Sequence, residues 1–241
     1  MKSPSQALMI GLAVALAAGL AFTVALLCVS FMRVPASDEP TGDALPSLAS
    51  SAVASSDVES TDVPVSDVPD EPSPSLGLRF VSNGDGTCVL AGMGSCADAC
   101  VVIPEYSPLG DRVTAIATMA FFGCDSLSAV QIPASVREIG DLAFADCEAL
   151  AYVSVSRSNP YYCDVEGVLY TAGKATLLLY PPMRAGSSVT IHSMTTAIAD
   201  MAFYRCLYLS RVTYYGSPAQ WEQVFVGSQN YSLTAASMVF L

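Results

Sequence analysis

Charge is scarce in this chain, and what there is leans one way. Charged residues are 13% of the 241, with 10 Lys or Arg against 22 Asp or Glu, a formal net charge of −12. Nothing basic clusters. Nucleic-acid binding is therefore not expected, because neutralising phosphates needs grouped Lys and Arg. The C-terminal two-thirds carries thirteen acidic and eight basic residues, which argues against attraction to anionic lipid. Histidine is all but missing: His192 is the only one. A Ser-His-Asp or Cys-His site would have to use it, yet no G-x-S-x-G, P-loop or H-E-x-x-H motif is present. Cys96 and Cys100 form a lone C-x₃-C, a poor zinc signal. Asn83-Gly84-Asp85-Gly86 lacks the remaining oxygen ligands of a calcium loop and reads as a hairpin turn. The expectation is a non-enzyme with no catalytic residues, no metal and no cofactor.

Two further absences organise the N-terminal third. Ala7 to Met32 contains no charged residue, enough chain for the roughly 20 positions that a bilayer core demands. Lys2 precedes the run and Arg33 follows it. Residues 1–33 are expected to be a single transmembrane anchor or uncleaved signal, with the N-terminus cytoplasmic and the rest extracytoplasmic. A cleaved signal peptide is the alternative, since Val34-Pro35-Ala36 is a loose cleavage site weakened by its proline. Residues 34–76 form an acidic Ser/Pro-rich linker. From Val34 to Ser75 it has no aromatic residue, no Lys and no Arg, but nine acidic residues. Such a segment cannot build a core, and self-repulsion and proline favour an extended chain.

What is present, from residue 77 to 241, is a phrase written three times. It reads VTAIATMAFFGC from Val113, VREIGDLAFADC from Val136 and TTAIADMAFYRC from Thr195, the first two starting 23 residues apart. A fixed period in the twenties marks a solenoid, whose coils bury their apolar sides only against one another. The same columns stay apolar: Ile116, Ile139 and Ile198; Phe121, Phe144 and Phe203; Cys124, Cys147 and Cys206; Leu127, Leu150 and Leu209. Each Leu opens an alternating run (Val130 and Ile132, Val153 and Val155, Val212 and Tyr214) that reads as a half-buried strand. Stacking makes these strands a parallel sheet. The Ala-Phe segment is the return path, expected as one helical turn. Partial copies at Val101–Pro104 and Val189–Ile191 extend the stack to five coils.

Residues 159–182 interrupt the period. Val168–Tyr170 and Leu177–Tyr180 flank Gly173-Lys174, which suggests an inserted hairpin. Both ends need covers. Arg79–Val81 and Cys88–Leu90 around the Asn-Gly turn suggest an N-terminal β-hairpin cap. Ser217-Pro218-Ala219-Gln220 is a capping box with proline at the first helical position, so a C-terminal helical lid carrying Trp221 is expected, then a last strand through Val239 and Phe240. The fold class is thus a β-rich α/β solenoid. Among the cysteines, the repeat column is expected to hold buried thiols, leaving Cys88, Cys96 and Cys100 as the better disulfide candidates.

The pattern I-G-x-x-A-F-x-x-C-x-x-L-x-x-V-x-I-P resembles the BspA-like bacterial leucine-rich repeat family over roughly Leu78 to the C-terminus. The segment Asn159-Pro160-Tyr161-Tyr162 with Glu166–Tyr170 is similar to that family's interrupted repeat. The resemblance implies a curved parallel solenoid on surface or secreted proteins, with adhesion or host-protein binding in some members and no shared catalytic residues.

The candidate site is then a surface. Residues between core positions face the open side of the sheet: Ala129 and Gln131, Tyr152 and Ser154, Arg211 and Thr213, and Tyr215 just beyond. Tyr and Arg are enriched in binding hot spots. The expected partner is a cell-surface protein or glycan, with the membrane engaged through the N-terminal helix. The rival expectation is a structural envelope spacer with no specific ligand.

Overall fold

Identical apolar columns spaced one coil apart can all be buried only if the coils stack in register, and that is the arrangement found. The computed structural model describes residues 73–241. The expected anchor and nearly all of the linker lie outside those residues. Among the described residues no helix is long and apolar enough to cross a membrane.

Each coil contributes one strand to each of two sides. Coil 1 holds β2 (Thr87–Gly92) and β3 (Cys100–Val102), preceded by β1 (Arg79–Ser82). Coil 2 holds β4 (Arg112–Ile116) and β5 (Ala129–Ile132), and coil 3 holds β6 (Glu138–Ile139) and β7 (Tyr152–Val155). An antiparallel pair follows, β8 (Tyr162–Val165) and β9 (Val168–Thr171). Coil 4 holds β10 (Thr176–Leu179) and β11 (Ser188–Ile191), and coil 5 holds β12 (Ala197–Ile198) and β13 (Arg211–Tyr214). Coil 6 holds β14 (Phe225–Val226) and β15 (Ser237–Phe240). On one side the order is β3-β5-β7 and then β11-β13-β15, all parallel; on the other it is β1-β2-β4-β6 and then β8-β9-β10-β12-β14. The stack therefore has six coils, one more than the five read from the repeats.

The columns pair as the repeat phrase requires. Val130 stands opposite Val101 and Val153, and Val212 opposite Val189 and Met238. Phe121 and Phe144 stack with ring centroids 5.2 Å apart. All these aliphatic and aromatic side chains except the half-buried Met238 are buried, and burying each is worth roughly 1.5–3 kcal/mol. The N-terminal hairpin cap is present: β1 pairs with β2, and Ser75 donates to and accepts from the backbone of Val102 at the edge of β3.

The return path is not a helical turn. Met119, Leu142 and Met201 each have φ 56°, and four residues later Gly123, Asp146 and Arg205 have φ 68°, 60° and 56°. A non-glycine residue in that conformation costs about 1–2 kcal/mol. Hydrogen bonds between coils offset it: Met119, Phe121 and Gly123 donate to the carbonyls of Asp141, Ala143 and Ala145. A helix would turn these donors along its own axis, whereas the left-handed residues aim them at the next coil. Gly140 is required where coils approach, since a Cβ there would lie 2.3 Å from the Thr118 nitrogen.

The C-terminal helical lid is also absent. The capping box forms, with Ser217 Oγ accepting from the Gln220 amide, but the helix α1 is only Pro218–Trp221. The chain then re-enters both sheets as coil 6, with a second short helix, α2 (Tyr231–Ala235), between its strands. Alternation over Met238 and Phe240 outweighs a single helix start. Asn230 takes the place of a turn: its Oδ1 accepts from Phe203 N, and its Nδ2 donates to Ala199 O and Gly227 O.

Candidate recognition groove

The interruption divides the open face. Gln131, Tyr152 and Ser154 belong to β5 and β7, whereas Arg211, Thr213 and Tyr215 belong to β13 and its exit, in a separate sheet. The six expected residues thus do not form one patch. Ala129, expected outside, is fully buried between its register partners Cys100 and Tyr152, larger side chains that cover a methyl. Gln131 is half-buried, and its Oε1 is enclosed without a hydrogen-bond partner. Tyr152 is committed to the fold: its ring lies against Gly167, where a Cβ would come within 2.5 Å of it. Gly167 (φ 84°) is the only residue type that turns the chain there without striking that ring.

The C-terminal sheet is more open. Ser188, Arg211 and Ser237 form one row across it, and Thr190, Thr213 and Val239 the next. Beyond the strand ends His192 and Tyr215 meet edge to face, with centroids 6.3 Å apart. Against this face stands the β8–β9 turn, and between them runs a groove of about 260 Å³. Thr190, His192 and Tyr215 form its sheet wall, and Glu166, Tyr170 and Lys174 its insert wall.

Arg184 fixes the insert to the sheet. Its side chain is 12% exposed and bonds Glu166 Oε2 at 2.5 Å. It also donates to the carbonyls of Glu166 and Ser188, both at 3.0 Å, and lies 5.7 Å from the Tyr180 ring centre. Glu166 is mostly exposed, so it retains lone pairs for a ligand, while Arg184 has its donors occupied. Burial pushes the Tyr170 hydroxyl well above the usual tyrosine range, the nearby Arg184 charge opposing it in part; Tyr170 is a neutral wall of the groove. Tyr162, the other insert tyrosine with a structural role, accepts from Ile139 N.

These groups can form polar and stacking contacts, and nothing in them assembles an acyl-transfer site. His192 Nδ1 accepts from the Met194 amide at 3.2 Å and lies 3.5 Å from its neighbour Ser193 Oγ. Among the described residues no carboxylate reaches the imidazole, and no group of three His, Cys, Asp or Glu could hold a metal ion. Of the three disulfide candidates Cys100 is disulfide-bonded, whereas Cys88 and Cys96 are free thiols. Cys88 points into coil 2, where it donates to Asp111 O. Cys147 and Cys206 are buried and donate to the carbonyls of Phe121 and Tyr180. Burial lifts the Cys147 thiol to about 12, so it stays an unreactive core group.

Residues 104–163 match the family described as BspA type leucine rich repeat region (6 copies). The chain carries BspA-type leucine-rich repeats. Solved structures similar to it include a leucine-rich repeat protein of Eubacterium ventriosum, 21% identical with a TM-score of 0.43, covering 58% of this chain and 42% of that one. A leucine-rich cell surface protein of Faecalibacterium prausnitzii is 27% identical with a TM-score of 0.44, covering 58% and 40%. A leucine-rich repeat protein of Bacteroides ovatus is 25% identical with a TM-score of 0.38, covering 56% and 39%. The chain thus spans less than half the length of these three. No curated protein matches it.

Thr190, His192 and Glu166 were missed as groove residues by sequence reasoning. A signal existed: Thr190 aligns with Gln131 and Ser154 between buried strand positions, just as Thr213 does.

Proposed function

We propose that this protein is a membrane-anchored, extracytoplasmic recognition module that binds a protein or glycan partner at the cell surface without chemistry. Its N-terminus is cytoplasmic, Ala7–Met32 spans the bilayer, and the acidic linker carries the solenoid away from it. The reading is supported by the repeat type, whose role is interaction, and by the charge pattern around the apolar run. The observation that carries it is the groove beside Tyr215. There, polar and aromatic side chains converge from two rigid elements, the sheet and the Arg184-fixed insert.

The test uses the full chain in detergent against arrays of surface glycans and matrix proteins. Tyr215→Ala should weaken a saturable partner by about 1–2 kcal/mol with the melting curve unchanged, while Arg137→Ala, on the loop after β5, should leave affinity as it was. A partner that binds both variants like the parent would move the contact off this groove. A chain that retains its fold and binds nothing saturably would favour the ligand-free spacer. Carbonate extraction tests the anchor separately: recovery of a soluble mature protein beginning near Ser37 would overturn it.

A further inference from the structure

Coil 3 has an edge that the insert covers only in part. In a regular stack, alternate amides of each coil donate forward to the next. Coil 3 has such donors at Ile139, Val153 and Val155, and again along its turn at Leu142, Phe144 and Asp146. The insert meets the first group. Tyr162 Oη accepts from Ile139 N, the Gly167 carbonyl from Val153 N, and Asp164 Oδ1 from Val155 N. It does not meet the second. Leu142, Phe144 and Asp146 are the counterparts of Met119, Phe121 and Gly123, all of which donate to the next coil. Their own amides find no acceptor among the described residues.

The cause is a shortened fourth coil. Leu177 occupies the Ile198 position, by register. Phe203 follows Ile198 by five residues, but Tyr180 follows Leu177 by only three. Tyr180 still stacks on Phe203 at 5.2 Å and donates to Ala202 O. The residues that would form the outer part of the turn are missing. On the far wall the Asp200 carbonyl, counterpart of the Asp141 carbonyl that accepts from Met119, is left without its donor. Arg205 of coil 5 reaches Asp146 and Glu148 of coil 3, closing one end.

What remains is a cleft of about 490 Å³. One wall offers the amides of Leu142 and Phe144, with that of Asp146 just beyond its end, and the other wall a carbonyl. Phe144, Leu169, Leu178 and Leu179 give it an apolar lining. The charged residues that line it are Asp141 and Asp200, both exposed, and Arg205, the cation beside it, is paired with Asp146 and Glu148 at the closed end. Its volume lies within the roughly 300–1,000 Å³ of ligand pockets.

We propose that this cleft binds an extended peptide segment that completes the interrupted ladder. The peptide's carbonyls accept from Leu142, Phe144 and Asp146, as a strand does when added to an open sheet edge. One apolar side chain lies on the leucine floor, and a flanking Lys or Arg faces Asp141 and Asp200. The site is distinct from the groove at Tyr215 and stands or falls without it.

The probe is the blocked heptapeptide Lys-Met-Ala-Phe-Phe-Gly-Lys, which carries the turn sequence Met119–Gly123 between lysines. It is titrated into the full chain in detergent, with hydrogen exchange read at individual amides. Saturable binding is expected, with slowed exchange at Leu142, Phe144 and Asp146. Leu178→Trp, which fills the floor, should weaken binding at least tenfold, and Asp141→Lys at least threefold. The exposed Asp141 keeps the test independent of any folding defect in the Trp variant. Tyr215→Ala should have no effect. Absence of saturable binding, binding that leaves the three amides exchanging as before, or equal binding to parent and both cleft variants would each overturn the proposal.

Discussion

Coils 1–3 and coils 4–6 solve the same problem with different materials. In the first half the repeat phrase is intact in coils 2 and 3, and the turn amides of coil 2 meet the turn carbonyls of coil 3. In the second half the phrase survives whole only in coil 5. Coil 4 substitutes a tyrosine for the stacking Phe on a turn two residues shorter, and coil 6 substitutes the amide of Asn230 for backbone. The stack therefore tolerates the loss of its sequence signature wherever some group restores the column contact and the inter-coil hydrogen bond. The insert and the first strand of coil 4 serve both halves. Leu169 and Leu179 pack into the first core, and Val168, Tyr170, Leu177 and Tyr180 into the second. Strands buried on both faces act as a shared wall.

The comparison can be broken most severely through the aromatic column. Phe144→Ala and Phe203→Ala should each cost about 3–5 kcal/mol, because each ring is buried and stacked at the same 5.2 Å on its neighbour. Chemical denaturation of the two variants is the measurement. A much smaller loss for Phe203 would mean that the second half is held less by its column than by its side-chain substitutes. Asn230→Ala comes next. It strips Phe203 N, Ala199 O and Gly227 O of partners at a buried site, and should cost about 2–3 kcal/mol. Unchanged stability would show that coil 6 is not held by this side chain.

Tyr162→Phe isolates the cap on the first half. Losing the hydroxyl leaves Ile139 N unpaired, for about 1 kcal/mol, and faster exchange of that amide should accompany it. The smallest effect is a pH dependence at Asp164. Burial pushes its carboxyl above the ordinary aspartate value of 3.8, with the hydrogen bond from Val155 opposing. A raised folded value means that the native state favours the protonated form, so its stabilisation is present at low pH and lost as pH rises through that value. Asp164→Asn stays neutral and can still accept from Val155. It should therefore melt slightly above the parent at pH 7, with the gap closing towards pH 4. A gap independent of pH would mean that Asp164 ionises in the fold as it does in the unfolded chain.

Much of this was legible in the residues. The Ile, Phe, Cys and Leu columns gave the strands on the open side and their parallel pairing, because a repeated apolar pattern has one efficient way to be buried; the Asn-Gly turn gave the hairpin cap. The candidate site was less legible. Tyr152 and Arg211 share a repeat position, and the phrase places them on one face; only the insert's route puts them in different sheets and sets Gly167 on the Tyr152 ring. Val189–Ile191 marks coil 4, but its first strand reads as part of the insert because Leu177 and Tyr180 keep the chemistry of their columns and not the spacing.

By itself, then, the sequence determined the coil, since period and apolar columns are local properties that any copy displays. The acidic linker and uncharged run are likewise matters of composition. Tertiary structure alone decided where the ladder stops. A shortened turn, an asparagine side chain standing in for a carbonyl, and a tyrosine hydroxyl accepting an edge amide bring together groups that are 23 to 27 residues apart. Such a hydrogen bond depends on where two backbones come to lie, and no pattern within either segment encodes that distance.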